Sequence, residues 1–293
     1  MKYLKRFKIH SDYEEYINGK AVLPNVSYTE DSLKVYYNPI PHDYSKDYFT
    51  MVVTVGGDVA WAGRENNALY YSKDNGKTWS EPSDGITLSV NKGDKVLWKG
   101  ETTPINGNGI GTFSGGTDVR YTVEGNVMSL LFGDDFKEQT SLEGKNYVFQ
   151  SFFYNNKNII NAENLSLPAT TLADSCYDSM FYGCTSLVNA PELPATTLAN
   201  SCYSSMFTDC TSLVTAPELP ATTLARFCYY QIFLSCTNLN YIKCLATNIS
   251  ALNCLSEWVK NVASTGTFVK DASMTSWSTD INGIPTGWTV LDV

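Results

Sequence analysis

Basic side chains are scarce in this chain. It carries 21 Lys and Arg against 30 Asp and Glu, a net charge of −9, and two histidines. Binding a phosphate backbone needs clustered cations, so nucleic acid is not an expected partner. The one basic cluster, Lys2, Lys5, Arg6 and Lys8, is followed at once by Asp12, Glu14 and Glu15 and reads as a solvated end. His10 and His42 stand in the N-terminal segment, neither in a triad context. Long apolar runs are missing too: none reaches the 18 or so residues of a membrane span. The opening stretch MKYLKRFKIHSDYEEYING has a charged start without the apolar stretch of a secretion signal. The first 175 residues hold no cysteine. The glycines of GNGIGTFSGG (107–116) are not followed by Lys-Ser/Thr, so they read as a turn and not a phosphate loop. Charged residues make up 17% and hydrophobic ones 43%, a balance that belongs to folded chains. The 293 residues suffice for two or three modest domains.

What the sequence does have is a period. Pro168, Pro194 and Pro220 are 26 residues apart, and so are Cys176, Cys202, Cys228 and Cys254. Cys184, Cys210 and Cys236, and Leu187, Leu213 and Leu239, keep the same interval. LPATTLANSCYSSMFTDCTSLVTAPE (193–218) nearly copies the unit before it. A degenerate copy precedes these units at an offset of 28, with Phe152 and Phe153 in the Met-Phe place. A fading one follows, with Trp258 and Val259 there. Fixed periods of this length signal stacked repeats whose apolar faces are buried only by their neighbours.

Within a unit, Thr196 or Thr197 can cap a helix after Pro194. Leu198, Cys202, Met206, Phe207 and Cys210 then fall on one helical stripe. SLVTAPEL suits a short extended rung, and Pro217 and Pro220 end any helix. The expectation is one helix plus one short rung per 26 residues. Upstream, MVVTV (51–55), NALYYS (67–72), GITLSV (85–90), KVLWKG (95–100) and DVRYTVEG (118–125) read as strands divided by Gly- and Asn-rich turns. The expected fold is therefore α+β and multidomain. Residues 1–45 form an attachment or oligomerisation segment, and 46–140 a small antiparallel β-sandwich-like domain. Residues 141–265 form a leucine-rich-repeat-like solenoid, and 266–293 a C-terminal cap.

Chemistry is hard to find in these patterns. Metal ligands pair at spacings of two to four, whereas Cys176 and Cys184, Cys202 and Cys210, and Cys228 and Cys236 stand eight apart and recur identically. With Cys254 they are expected to make a buried structural thiol ladder. No cofactor, metal or catalytic residue is expected. Cys244 breaks the period and is the candidate for a reactive or paired thiol. Tyr177, Tyr203 and Tyr229, one per unit, and Glu192 and Glu218, which are repeat equivalents, are candidates for a regular binding surface. A glycosidase would need two converging carboxylates, and nothing in the sequence points to such a pair.

SKDNGKTW (72–79) fits S-x-D-x-G-x-T-W and resembles the Asp-box of sialidases and related β-propellers, where the motif is a structural hairpin away from the active site. The resemblance implies that Ser72 and Asp74 hydrogen-bond turn amides, that Gly76 takes a positive φ, and that Thr78 and Trp79 complete the turn, with Trp79 packed beneath. The repeats, on Met180, Phe181, Cys184 and Leu187, on Met206, Phe207, Cys210 and Leu213, and on LPATTLA, resemble the BspA-type leucine-rich repeats of bacterial surface proteins. The layout from the Asp-box through GDKVLWKG, NVMSLLFGDDF and LPATTLA to IPTGWTV resembles proteins of gut Bacteroidota and their phages, and LPNVSYTEDSLKVYYNP (23–39) looks like stretches of phage structural proteins. These resemblances imply a non-enzymatic virion protein, such as a fibre, head fibre or decoration protein. It would attach to capsid or tail proteins through its N-terminal segment, form a homo-oligomer, avoid membrane insertion, and present its repeats to a host-surface glycan or protein. A bacterial cell-surface adhesin and a carbohydrate-active enzyme or its accessory module are the alternatives.

Overall fold

The computed structural model describes residues 16–17, 20–21, 42–64, 67–103 and 108–293, the first two pairs by backbone only. Two compact units are present, Met1–Asp43 and Tyr44–Val293. In the first, β1 (Tyr16–Ile17) and β2 (Lys20–Ala21) pair antiparallel. The basic cluster, His10 and all of the 1–45 attachment segment but these two pairs and residues 42–45 lie outside the described residues.

The second unit begins with strands whose alternation is visible in the sequence. β3 (Phe49–Val55) buries Phe49, Met51 and Val53, and β4 (Gly57–Gly63) buries Val59 and Trp61. Then come β5 (Leu69–Ser72), β6 (Gly85–Val90), β7 (Lys95–Gly100), β8 (Gly111–Gly115), β9 (Arg120–Asn126) and β10 (Ile159–Ser166). One sheet has the order β10-β9-β3-β7-β5, antiparallel except that β10 runs parallel to β9. The second has the order β6-β4-β8 and is antiparallel. They meet across an aromatic cluster: Phe113 of the second sheet lies 5.5 Å from Phe49 and 4.9 Å from Trp98 of the first, and 4.7 Å from Trp61. Gly111 is required there, because a Cβ at its position would stand 2.5 Å from the Trp61 ring.

The repeats depart from the expected helix-plus-rung unit. The chain is mostly β, with 30% strand and 4% helix. Its one α-helix among the described residues, α1 (Ser129–Phe132), lies before the repeats. Among the described residues there is neither a helix-per-repeat solenoid nor a closed one, and the α+β leucine-rich-repeat reading is overturned. Each repeat instead runs through linked turns. Ser204, Met206, Thr208 and Cys210 donate their N–H to carbonyls three residues back, at Ser201, Tyr203, Ser205 and Phe207. The residues between them, Tyr203, Ser205, Phe207 and Asp209, donate across to Cys228, Tyr230, Ile232 and Leu234 of the next repeat. Every fourth residue takes a positive φ: Ser201, Ser205 and Asp209 here, Ser175, Ser179 and Gly183 one unit earlier, and Phe227, Gln231 and Ser235 one unit later. The degenerate end copies keep the pattern at Tyr147, Ser151 and Asn155 and at Asn253, Glu257 and Asn261.

Two causes explain the misreading. The apolar positions pair at 202–203 and 206–207 and recur every four residues, close enough to 3.6 to mimic a helical stripe. The segment ANSCYSSMFTDCTS is also built from weak helix formers, whose lost propensity the ladder to the next repeat outweighs.

Between the linked turns each repeat makes a parallel bridge: Asn161 to Asn189, Asn189 to Thr215, and Thr215 to Tyr241. Asn161 lies in β10 and Tyr241 begins β11 (Tyr241–Cys244), which pairs in parallel with β12 (Thr267–Lys270) and that with β13 (Thr289–Asp292). The parallel ladder thus continues the five-stranded sheet of the sandwich. One hydrophobic core runs from Phe49 to Trp288, so residues 44–293 form a single unit. At the far end Trp258 packs on Phe268 and Trp277, and Trp258 donates Nε1–H to the Gly283 carbonyl at 2.8 Å.

Candidate functional site

The Asp-box turn is closed by its own side chains. The Ser72 hydroxyl donates to Asp74 Oδ1 at 2.8 Å and accepts from the Gly76 amide at 2.9 Å. Asp74 accepts from the Thr78 amide at 2.9 Å and the Thr78 hydroxyl at 2.6 Å. These bonds, led by the Thr78 hydroxyl, hold the Asp74 carboxyl at about 2. Asn75 and Gly76 take φ of 63° and 82°, which Asn tolerates and Gly adopts freely. Ser80 accepts from the Tyr71 amide and returns its own amide to the Tyr71 carbonyl. The motif thereby delivers Trp79 back beside β5.

Trp79 then lines a cleft of about 360 Å3 with Tyr70, Ser80, Glu81, Lys99, Gly100, Glu101, Gly133 and Asp134. The pairing of β5 with β7 sets Tyr70 opposite Lys99. α1 and the short turn Gly133–Asp135 bring Asp134 over the Lys99 ammonium. Asp134 grips Lys99 Nζ with both oxygens, at 2.7 and 2.9 Å, and accepts the Tyr48 hydroxyl at 2.7 Å. Lys99 also stands 4.4 Å over the Trp79 ring and about 6 Å from Tyr48 and Tyr70. Its side chain is only 15% exposed, whereas Asp134 is 64% exposed. The Lys99 and Tyr48 hydrogen bonds hold the Asp134 carboxyl below its ordinary range. Burial, and then the bond to Asp134, pushes the Tyr48 phenol up to about 12. Asp134 is therefore a fixed carboxylate, an acceptor and not a proton donor to a leaving group. Glu81 and Glu101 are exposed and make no ion pair among the described residues.

The repeat residues fall into two groups. Tyr177, Tyr203 and Tyr229 are buried, so they form no exposed binding row. They stack behind Phe149 with centroids 5.6, 5.7 and 6.2 Å apart, because each sits on the inward pair of the four-residue period. Glu192 and Glu218 are exposed, and Glu218 pairs with Lys243 at 2.9 Å. Cys176, Cys184, Cys202, Cys210, Cys228, Cys236 and Cys254 are free and buried. Cys184, Cys210 and Cys236 donate S–H to the carbonyls of Phe153, Phe181 and Phe207, one repeat back, at 2.9–3.1 Å. Cys244 is buried and free as well, and burial pushes its thiol up to about 12, which removes the thiolate a reactive cysteine needs.

No family model, curated protein or solved structure matches the chain. Sequence reasoning reached Trp79 through the Asp-box but missed Tyr48, Tyr70, Lys99, Glu101 and Asp134. These come from four separate stretches, and the one available signal was the aromatic and charged alternation of KVLWKG and NALYYS on neighbouring strands.

Proposed function

We propose that this chain is a non-enzymatic structural and binding protein, placed on a phage particle as a fibre, head fibre or decoration protein that meets the host surface. The observation that carries the structural part is the continuous parallel ladder from the sandwich through the repeats. Such a ladder makes a stiff display element. Its thiols and the phenols of Tyr177, Tyr203 and Tyr229 are spent on the core, so they are withdrawn from nucleophilic or acid–base work. The particle placement rests on the layout resemblance from the Asp-box to IPTGWTV. Attachment to capsid or tail proteins through the N-terminal segment, and assembly into a symmetric homo-oligomer on a particle axis, follow from that placement. Mass spectrometry of purified particles tests it: the chain is expected at structural copy number. Its absence from particles together with its presence in the bacterial envelope fraction would favour the cell-surface adhesin instead.

A further inference from the structure

The cleft beside the Asp-box turn has a composition that a scaffold does not require. We infer that it binds a neutral saccharide, stacked against Tyr70 and the open part of Trp79 and hydrogen-bonded by Glu81, Glu101 and Asp134. The inference rests on the binding half of the reading above, and it moves the ligand from the repeat face to the sandwich.

Size comes first. The cleft measures about 360 Å3, at the lower end of the roughly 300–1,000 Å3 of small-molecule sites. Its lining brings two aromatic rings together with three carboxylates. A sugar ring is two-sided in the same way, with an apolar C–H face and a rim of hydroxyls. The C–H face suits an aromatic ring, and a carboxylate accepts two hydroxyl hydrogen bonds in one plane.

Charge then removes the anionic ligand classes. Three carboxylates face one ammonium, so the cleft is formally negative by two. Phosphates, uronic acids and sialic acids are repelled. A cationic ligand is drawn by that charge but loses the aromatic platform of Trp79, whose face Lys99 covers at 4.4 Å while clamped by Asp134. A neutral polyol is not repelled and can stack on Tyr70, which lines the cleft as well. Preorganisation favours it further. Trp79 is set by the closed Asp-box turn and Lys99 by its ion pair and three rings, so these two side chains have little freedom left to lose on binding. Glu81 and Glu101, with no ion-pair partner among the described residues, are free to accept.

The test uses the full chain against an array of neutral and acidic oligosaccharides, followed by titration calorimetry with the neutral sugars that bind. Two variants are compared, Glu81→Ala with Glu101→Ala, and Trp79→Phe, each checked for a native melting profile. At least one neutral saccharide is expected to bind. The double variant is expected to weaken it about tenfold or more, the scale of one lost charge-assisted hydrogen bond. Binding of acidic glycans alone, of no glycan, or of a neutral glycan with affinity unchanged in both variants overturns the inference. Absence of the chain from particles would overturn the placement and leave this site standing, so the two failures are separable.

Discussion

Replacing Ser205 by glycine separates linked turns from a helix by the sign of its effect. Ser205 sits mid-repeat at φ 51°, donates its amide to the Tyr230 carbonyl at 2.8 Å, and accepts from the Thr208 amide. An L-residue in the left-handed region costs about 1–2 kcal/mol. Glycine avoids that cost but loses about 0.5–1 kcal/mol more backbone entropy on folding. The net expectation for Ser205→Gly is a gain of about 0.5–1 kcal/mol. In a helix the same change would cost about 0.5 kcal/mol. With a urea slope of about 2 kcal/mol/M, the unfolding midpoint should rise by about 0.25–0.5 M, followed by tryptophan fluorescence. Ser201→Gly in the same repeat, at φ 53°, should add a comparable increment. A midpoint that falls for both would refute the linked-turn backbone.

The Phe ladder gives a second prediction. Phe207 is buried between Phe181 at 5.6 Å and Phe233 at 5.9 Å. Phe207→Ala should therefore cost about 3–5 kcal/mol in chemical denaturation; a loss below about 1 kcal/mol would contradict the stacking. The thiols predict an alkaline limit. Burial pushes Cys176, Cys228 and Cys244 up to about 12, against an ordinary value of 9.0. The folded state thus holds protons that the unfolded state releases. Stability is full below about pH 9 and should fall by on the order of 1.4 kcal/mol per such thiol per pH unit up to about pH 12, read from urea midpoints at stepped pH. A thiol reagent at pH 8 should modify none of the eight cysteines in the native protein and all of them in denaturant; prompt native labelling of Cys244 would restore it as a reactive group. Asp74→Ala should open the 73–79 turn to limited proteolysis ahead of the repeats, because Thr78 loses both of its bonds to the carboxylate. Uncut protein under conditions that nick the variant repeats would argue against that role.

The period of the repeat was legible in the sequence, but its backbone was not. The 26-residue interval, the 28-residue step before it and the fading copy at Trp258 all reappear in the positive-φ positions. The stacked residues could be named as well, since equal positions in equal repeats must stack. The Asp-box was legible because its bonds span four residues or fewer and depend on Ser72, Asp74 and Thr78 alone. The cleft was not. Tyr48, Lys99 and Asp134 come together only because β3 and β7 pair and the turn after α1 folds over them.

The sequence by itself thus determined the period, the buried thiol ladder and the local turn chemistry, all of which follow from short-range spacing. The tertiary structure decided two things. It chose the backbone of the repeat, because each alternate amide finds its acceptor about 25 residues away in the next repeat. A local pattern near 3.6 cannot reveal such a partner. It also joined repeat to sandwich, because β10 pairs in parallel with β9, a contact that no composition shift along the chain announces.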